Sequence, residues 1–266
     1  MPSPWILTTP SSRGIGLALT RHLLKTTSCP IVATARTDLD RTREECLRGL
    51  PDINEDRLSV MKVDVLDETT IADAASTCSA KFPPKEENYL HLAFLLPGIL
   101  HPERSPSAVD AASAKNTLLT NTLGPLLLAK HFTPFLPTKS TKLPTLPHDP
   151  LPPQATMAIM SARVGSISDN SLGGWYSYRA SKAGVNQLVK TLDIYLKQKC
   201  GEKSMCVGLH PGTVKTELSK EFWGNVKEDK LFDSDWVAEQ LTDVVRTVGT
   251  GGRGKCWDWQ GKEVPP

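Results

Sequence analysis

The sequence lacks the patterns that would place the protein in several common functional classes. None of its six cysteines forms a C-x-x-C pair, and its six histidines show no paired spacing, which argues against zinc and thioredoxin-like sites. We therefore predict no metal site. Cysteines spread this widely through a chain of 266 residues are typical of reduced thiols in the cytoplasm.

A charge imbalance and long apolar runs are also missing. The formal net charge is +2, and Lys and Arg are scattered along the chain, so no nucleic-acid partner is predicted. No apolar stretch approaches the ~20 residues of a membrane span, and the first residues do not have the pattern of a signal peptide. These absences predict a soluble, cytoplasmic protein without a membrane partner.

What the sequence does contain is a regular alternation of strand and helix patterns. Short apolar or β-branched segments predict strands at 5–9, 31–36, 58–64, 91–97, 156–161, 205–210 and 256–259. Helical spacing predicts helices at 15–27, 41–50, 69–81, 111–135, 175–199 and 236–248. This alternation predicts an α/β fold. We expect one Rossmann-type domain over 1–266, with a doubly wound parallel sheet of about seven strands and helices on both faces.

One segment interrupts the alternation. Residues 137–153 (PTKSTKLPTLPHDPLPP) are rich in proline and have no apolar period. Proline removes backbone donors and blocks helices, so we predict an exposed loop insertion here. The sequence leaves open whether this loop is a recognition arm or a tolerated insertion.

A glycine-containing turn follows the first predicted strand. It reads TPSSRGIG at positions 9–16, and Gly14 and Gly16 stand at the start of the first predicted helix. The first N–H groups of a helix are unbonded and carry partial positive charge, and glycine lets a phosphate approach the backbone closely. This placement indicates a dinucleotide-binding turn.

The end of the second predicted strand indicates which dinucleotide binds. An acidic residue there would bond a ribose 2′-hydroxyl and favour NAD, whereas Arg36 offers a guanidinium to a 2′-phosphate. Arg13 in the turn could supply a second positive charge. We therefore predict NADP(H), while Asp38 and Asp40 follow closely in the chain and keep NAD(H) open.

A tyrosine and a lysine four residues apart supply candidate acid–base chemistry. Tyr178 and Lys182 lie on one face of a predicted helix, after a strand and a Ser/Gly-rich loop. A free tyrosine has a pKa of about 10, and a nearby ammonium favours the phenolate and lowers that pKa. The pair therefore predicts a proton donor suited to carbonyl reduction. Tyr176 has Ala180 at its i+4 position and is the weaker candidate.

With these motifs in place, the chain resembles the short-chain dehydrogenase/reductase family over nearly its whole length, and more narrowly its C-factor/sniffer-like carbonyl reductase group. The narrower resemblance rests on GSI at 165–167 and GGWYSYRASK at 173–182. Asp64 and Val65 resemble the pair that contacts adenine. Asn121 resembles the helix asparagine of the proton relay, and PGTVKT at 211–216 resembles the segment that brackets nicotinamide.

The resemblance implies roles for individual residues. Tyr178 would protonate the substrate oxygen during hydride transfer, Lys182 would bind the nicotinamide ribose and lower the tyrosine pKa, and Asn121 would link Lys182 to solvent through water. The implied cofactor contacts are Thr9, Ser11, Arg13, Gly14, Ile15, Gly16, Arg36, Asp64, Val65, Gly98, Tyr178, Lys182, Pro211, Gly212, Val214 and Thr216.

A probable substrate loop is implied at residues 217–232. Its apolar members Leu218, Phe222, Trp223 and Leu231 either cover a hydrophobic substrate or serve as ordinary packing residues.

Three positions depart from the family pattern. Pro10 replaces the first glycine of the turn, so a phosphate must use other donors. The sequence LLP at 95–97 replaces polar residues. The substrate-orienting serine falls at Ala162. We take the neighbouring Ser161 as its replacement, although adjacent residues of a strand point to opposite faces.

The predicted function is NADP(H)-dependent oxidoreduction of a small, apolar ketone or aldehyde, or of the corresponding alcohol. The alternative is a cofactor-binding regulatory or scaffold protein with little or no turnover, which Pro10, Ala162 and the proline-rich loop motivate. The resemblance also implies a homodimer or homotetramer that associates through the helices bearing Asn121 and Tyr178.

Overall fold

The computed structural model describes residues 3–83, 87–143 and 151–266. Its centre is a sheet of eight strands flanked by helices. The strands are β1 (Pro4–Thr9), β2 (Ile31–Ala35), β3 (Leu58–Lys62), β4 (Tyr89–Leu95), β5 (Ala155–Met160), β6 (Ser204–His210), β9 (Cys256–Asp258) and β10 (Glu263–Val264). Two short strands, β7 (Thr213–Val214) and β8 (Leu231–Phe232), pair with each other outside this sheet. The helices are α1 (Gly14–Thr26), α2 (Leu39–Leu47), α3 (Glu68–Lys81), α4 (Ala111–Leu118), α5 (Gly124–Phe132), α6 (Tyr176–Cys200) and α7 (Ser234–Thr247).

The order of the strands is β10-β9-β6-β5-β4-β1-β2-β3. All neighbours are parallel except β9 and β10, so the predicted doubly wound α/β sheet is confirmed. The structure adds an antiparallel edge strand, β10, whose two residues are too few to show a pattern in the sequence. The strand order reverses between β1 and β4, and ligands of such sheets bind beyond the carboxyl ends of the strands at this switch point.

The core lies on both faces of the sheet. On one face α1, α2 and α7 contribute buried residues such as Leu19, Cys46 and Leu241. On the other face α3, α5 and α6 contribute residues such as Phe132 and Val185. Strands β2, β4 and β5 are buried along their whole length, as expected for a parallel sheet that is covered on both sides.

The helix predicted at 111–135 is divided into α4 and α5 by a π-helical turn at Leu119–Leu123. Pro125 has no N–H group and cannot donate to the carbonyl four residues before it, which is that of Asn121. The N–H of Gly124 instead bonds the carbonyl oxygen of Leu119, five residues back. The prediction of a continuous helix was therefore wrong at this point.

The proline-rich segment 137–153 is described only at its two ends, because residues 144–150 lie outside the described ranges. The described residues of this segment are neither helical nor extended strand, but Pro137, Leu151 and Pro152 are buried, so the two ends are not exposed as predicted. Both ends are attached to the sheet. The Ser204 hydroxyl donates to the carbonyl oxygen of Pro137 at 2.9 Å, and Nε2 of His91 lies 2.8 Å from the carbonyl oxygen of Pro152.

A buried ion pair attaches the chain after α7 to α6 and β6. The Arg253 Nε lies 2.9 Å from one carboxylate oxygen of Asp193 and 3.0 Å from the other. The Cys206 N–H donates to Asp193 at 3.0 Å. Both charged side chains are more than nine-tenths buried. Each has lost its hydration, and the attraction between the two charges offsets that cost.

We expect Asp193→Ala to lower the free energy of unfolding by about 3–5 kcal/mol, because it leaves a buried guanidinium without its partner. The matched control is Asp243→Ala, which removes an exposed pair with Arg246 on α7 and should cost no more than about 1 kcal/mol. Chemical denaturation of the two variants measures both values. Equal losses would show that the Asp193 pair contributes no more than a surface pair.

Candidate active site

A cleft of about 460 Å³ opens at the carboxyl edge of the sheet, at the switch point between β1 and β4. The turn after β1, the segment after β4 and the segment after β7 form most of its lining. The lining residues are Pro10, Arg13, Gly14, Ile15, Gly16, Leu96, Gly98, Ile99, Leu100, His101, Pro102, Met160, Thr216, Glu217, Leu218, Glu221 and Phe222.

Close packing shapes the turn between β1 and α1. A Cβ atom on Gly16 would lie 1.8 Å from the carbonyl oxygen of Pro10, so a larger residue cannot fit without moving the backbone. Gly14 has a φ of +54°, in the left-handed region that favours glycine. Both glycines lie at the N-terminus of α1, whose first turn has no acidic residue. This turn can therefore receive an anion on its unbonded N–H groups.

Thr9 and Ser11 support this turn from inside the protein. Ser11 is fully buried, and its N–H donates to the carbonyl oxygen of Thr34 at 2.7 Å. The Thr34 hydroxyl donates to the Thr9 hydroxyl at 2.6 Å, and the Thr20 hydroxyl donates to the carbonyl oxygen of Gly16 at 2.8 Å. These bonds join β1, β2 and α1. The side chains of Thr9 and Ser11 thus hold the turn and do not line the cleft.

The residues predicted at the adenosine end lie after β2 and β3. Arg36 directly follows β2 and is exposed, as is Arg13 in the glycine turn. The Asp64 carboxylate accepts the N–H of Leu66 at 3.0 Å. Val65 packs so closely on the helix opposite that a Cβ on Gly124 would lie 2.9 Å from its own Cβ. These residues are therefore placed along one edge of the sheet.

The segment 211–216 reaches from β6 to the glycine turn. Gly212 has a φ of +75° and packs against Phe232, whose ring would lie 2.7 Å from a Cβ at this position. At the other end of the segment, Thr216 Cγ2 lies 3.2 Å from where a Cβ on Gly14 would be. The structure thus brings this predicted segment together with the turn after β1.

The sequence left two roles open for the apolar residues of the predicted substrate loop 217–232, namely covering a substrate and ordinary packing. In the structure some of them line the cleft and others hold the loop in place. Leu218 and Phe222 line the cleft. Trp223 anchors the loop instead, because its indole N–H donates to the Ser219 hydroxyl at 2.9 Å. Leu231 belongs to β8, which pairs with β7.

Tyr178 and Lys182 lie one turn apart on α6, and both are buried. The Lys182 Nζ lies 5.8 Å from the centre of the Tyr178 ring and donates to the carbonyl oxygen of Met160 at 2.8 Å. It also lies 3.8 Å from where a Cβ on Gly98 would be. Met160 and Gly98 both line the cleft, so the Lys182 ammonium contacts its lining, although neither Tyr178 nor Lys182 is itself a lining residue.

Burial sets the protonation of both groups. It raises the pKa of Tyr178 to about 12 and lowers the pKa of Lys182 to about 8, because the interior solvates neither a phenolate nor an ammonium well. The expectation that Lys182 lowers the pKa of Tyr178 is not met in this structure. The ammonium donates to Met160, and desolvation is the dominant effect on the phenol.

Asn121 connects the cleft wall to α6. Its side-chain amide donates to the carbonyl oxygen of Ile99 at 2.9 Å and to the Ser181 hydroxyl at 3.0 Å. Its side-chain oxygen accepts the N–H of Ile99 at 2.8 Å, and Ser181 in turn donates to the carbonyl oxygen of Tyr178 at 2.7 Å. Fully buried, the Asn121 side chain holds the wall and the helix together.

The Ser161 side chain is bonded to α6. The Ser161 hydroxyl donates to the side-chain oxygen of Asn186 at 2.5 Å. Asn186 lies on α6, one turn beyond Lys182. This geometry does not support Ser161 as the substrate-orienting serine, because successive residues after a strand present opposite faces. Ala162, at the family position, has no hydroxyl to offer.

A contact distant in sequence positions the start of α6. The buried Glu103 accepts the Ser177 N–H on its carboxylate at 3.0 Å, and its backbone carbonyl accepts the Trp175 N–H at 2.7 Å. The Trp175 ring packs edge-on against Tyr178, at 6.0 Å between ring centres, and lies 4.9 Å from the Phe222 ring. The sequence predicted neither Glu103 nor Trp175, because no local pattern relates residues this far apart.

The described ranges contain neither a candidate metal site nor a candidate membrane span. No group of three or more His, Cys, Asp or Glu residues in them could hold a metal ion. None of their helices is long and apolar enough to cross a membrane.

Known proteins are similar to this chain in sequence and in structure, although no family model matches it. C-signal of Myxococcus xanthus is 30% identical over 157 residues, which are 59% of this chain and 81% of C-signal. The NADPH-bound carbonyl reductase from chicken fatty liver has a TM-score of 0.79 and 25% identity, with all of both chains covered. Carbonyl reductase Sniffer of D. melanogaster has a TM-score of 0.77 and 25% identity over the same coverage.

Proposed function

The chain belongs to the short-chain dehydrogenase/reductase family, and on that premise we propose that it is an NADP(H)-dependent oxidoreductase acting on a ketone or aldehyde, or on the corresponding alcohol. One observation carries the proposal. The buried Tyr178–Lys182 pair stands beside a cleft that begins at the glycine-lined N-terminus of a helix. Hydride transfer from a dinucleotide requires a proton donor close to an anion-binding turn.

The residues present fit a phosphorylated dinucleotide. Gly16 leaves no room for a Cβ and Gly14 has a positive φ, so a pyrophosphate could reach the N–H groups of α1 without a steric barrier. Arg13 and Arg36 would hold the 2′-phosphate that distinguishes NADP(H) from NAD(H). When bound, the nicotinamide supplies or accepts the hydride. Asp64 and Val65 would border the adenine.

Tyr178 would act as the acid in reduction. Its pKa of about 12 keeps the phenol protonated at neutral pH, which is the form that donates a proton to a carbonyl oxygen. Lys182, with a pKa of about 8, is mainly an ammonium at pH 7 and would donate hydrogen bonds to the nicotinamide ribose. With Ala162 at the serine position, Tyr178 would be the main donor to the substrate oxygen.

The decisive variant is Tyr178→Phe. It removes the proton donor and retains the ring, so we expect reduction of carbonyl compounds by NADPH to fall about 10²–10⁴-fold, with NADPH affinity unchanged. Tyr176→Phe is the matched control on the exposed side of the same helix and should retain full activity. Steady-state kinetics and fluorescence titration measure the two effects. NADPH binding without turnover of any carbonyl in the parent protein would favour the regulatory alternative.

Arg36→Ala tests the choice of cofactor. Loss of a charge-assisted contact to the 2′-phosphate should raise the Kd for NADPH about tenfold or more, while the Kd for NADH should not change. Arg246→Ala, an exposed arginine on α7, is the control and should leave both constants unchanged. Equal weakening of both nucleotides in Arg36→Ala would show that the guanidinium does not recognise the 2′-phosphate.

We infer that the protein associates with itself through α4, α5 and α6. Leu118, Leu123 and Leu126 are partly exposed on the first two helices and their π turn, and Ile194 and Tyr195 are half exposed on α6. A groove of about 500 Å³ lies between α5 and α6 and is lined by Leu126 and Tyr195. An apolar surface of this kind is typical of an interface between subunits.

The mass in solution tests this interface. We expect the parent protein to have at least twice the chain mass of 29.1 kDa, and Leu126→Glu with Tyr195→Glu to shift it to a single chain, because buried charges oppose association. Leu172→Glu, at an exposed leucine outside these helices, should leave the mass unchanged. A parent protein that is already a single chain in light scattering would contradict the inference.

We also infer that the protein works in a reducing compartment, the cytoplasm. None of its six cysteines is in a disulfide, and all six are buried. Burial raises the pKa of the Cys46 thiol to about 11 and that of the Cys256 thiol to about 12, so these side chains behave as small apolar groups.

A further inference from the structure

His101 is a cleft residue whose orientation is set by its neighbours. It follows Gly98, Ile99 and Leu100 along the cleft wall and is half-buried. Its Nδ1 lies 3.1 Å from the hydroxyl of Thr117, which is fully buried on α4. The imidazole is therefore attached at one edge to α4 and borders the cleft beside Leu218 and Phe222.

The hydrogen bonds of Thr117 determine where the imidazole carries its proton. The Thr117 hydroxyl donates to the carbonyl oxygen of Ser113 at 2.9 Å, and a hydroxyl has only one proton to give. Both contacts of Thr117 are hydrogen bonds only if His101 Nδ1 is the donor in the second one. The neutral ring then has its proton on Nδ1 and its lone pair on Nε2.

His101 lines the cleft, and because its Nδ1 is bonded to Thr117, Nε2 is the ring nitrogen left to meet a ligand. With the Nδ1 edge bonded to α4, the opposite edge of the ring faces away from that helix. Glu217 and Glu221 line the same cleft, and carboxylates are acceptors only. Three polar side chains of the cleft, His101 through Nε2, Glu217 and Glu221, thus accept hydrogen bonds, whereas Arg13 and Thr216 in the same lining can donate them.

We propose that His101 is a specificity-determining residue whose Nε2 accepts a hydrogen bond from a hydroxyl group of the substrate, so that the enzyme prefers hydroxylated aldehydes and ketones. The inference rests on the proposed function, since it assigns a substrate class to the same cleft. Tyr178 would serve the carbonyl group, Phe222 would contact the apolar part, and His101 would select the second polar group. A substrate without the hydroxyl leaves a desolvated acceptor unpaired, which is the usual basis of such discrimination.

Matched substrates test the proposal. The probes are 3- and 4-(hydroxymethyl)benzaldehyde and the isosteric 3- and 4-ethylbenzaldehyde, each assayed with NADPH. In the parent protein we expect kcat/KM to be about tenfold higher for the hydroxylated member of at least one pair, as one hydrogen bond allows, mainly through a lower KM. His101→Phe should abolish this preference without changing the Kd for NADPH.

Two further variants separate recognition from structure. His101→Gln places an amide oxygen near the position of Nε2 and should keep most of the preference. His131→Phe, the same substitution at a histidine on α5 that pairs with Glu68, should have the parent preference. Equal kcat/KM within each pair in the parent protein, or a preference that survives in His101→Phe, would overturn the proposal. Failure of the parent to reduce any of the four aldehydes would instead count against the proposed function.

Discussion

The Lys182 ammonium is buried without its hydration shell, and the bond to the carbonyl oxygen of Met160 makes that burial possible. This bond joins α6 to the carboxyl end of β5, and the position of Tyr178 follows from it. Gly165 is required beside it, because a Cβ there would lie 2.6 Å from the Lys182 backbone. The lowered pKa of Lys182 and the raised pKa of Tyr178 both follow from the same burial. The reactivity of the site is therefore a consequence of how tightly α6 packs on the sheet.

Features that depend on neighbours in sequence were predictable. Each of the seven predicted strands is present, because β-branched and apolar runs of this length favour strands wherever helices can cover them. The glycine turn lies where it was expected, since only glycine fits between Pro10 and α1 at position 16. Tyr178 and Lys182 share a face of one helix because their spacing of four residues matches the helical turn.

Features that depend on distant parts of the chain were not predictable. Glu103 caps α6 from a loop more than seventy residues earlier in the chain, and no local pattern indicates such a contact. The direction of the Ser161 side chain depends on Asn186, which the helix brings beneath it. The protonation of Tyr178 was expected from one charge at i+4, yet it depends on the burial that the whole site imposes.

The π turn at Leu119–Leu123 has a consequence for how this part of the chain can vary. One additional residue in a helical turn rotates the side chains that follow by about 100°. Thr117 before the offset and Asn121 within it bond the cleft wall; after it, Leu128 and Phe132 pack in the core. Helices α4 and α5 thus carry two surfaces, one that recognises small molecules and one that fills a fixed volume in the core. The π turn between them gives each surface its own helical register. Change on one surface need not be matched by compensating change on the other.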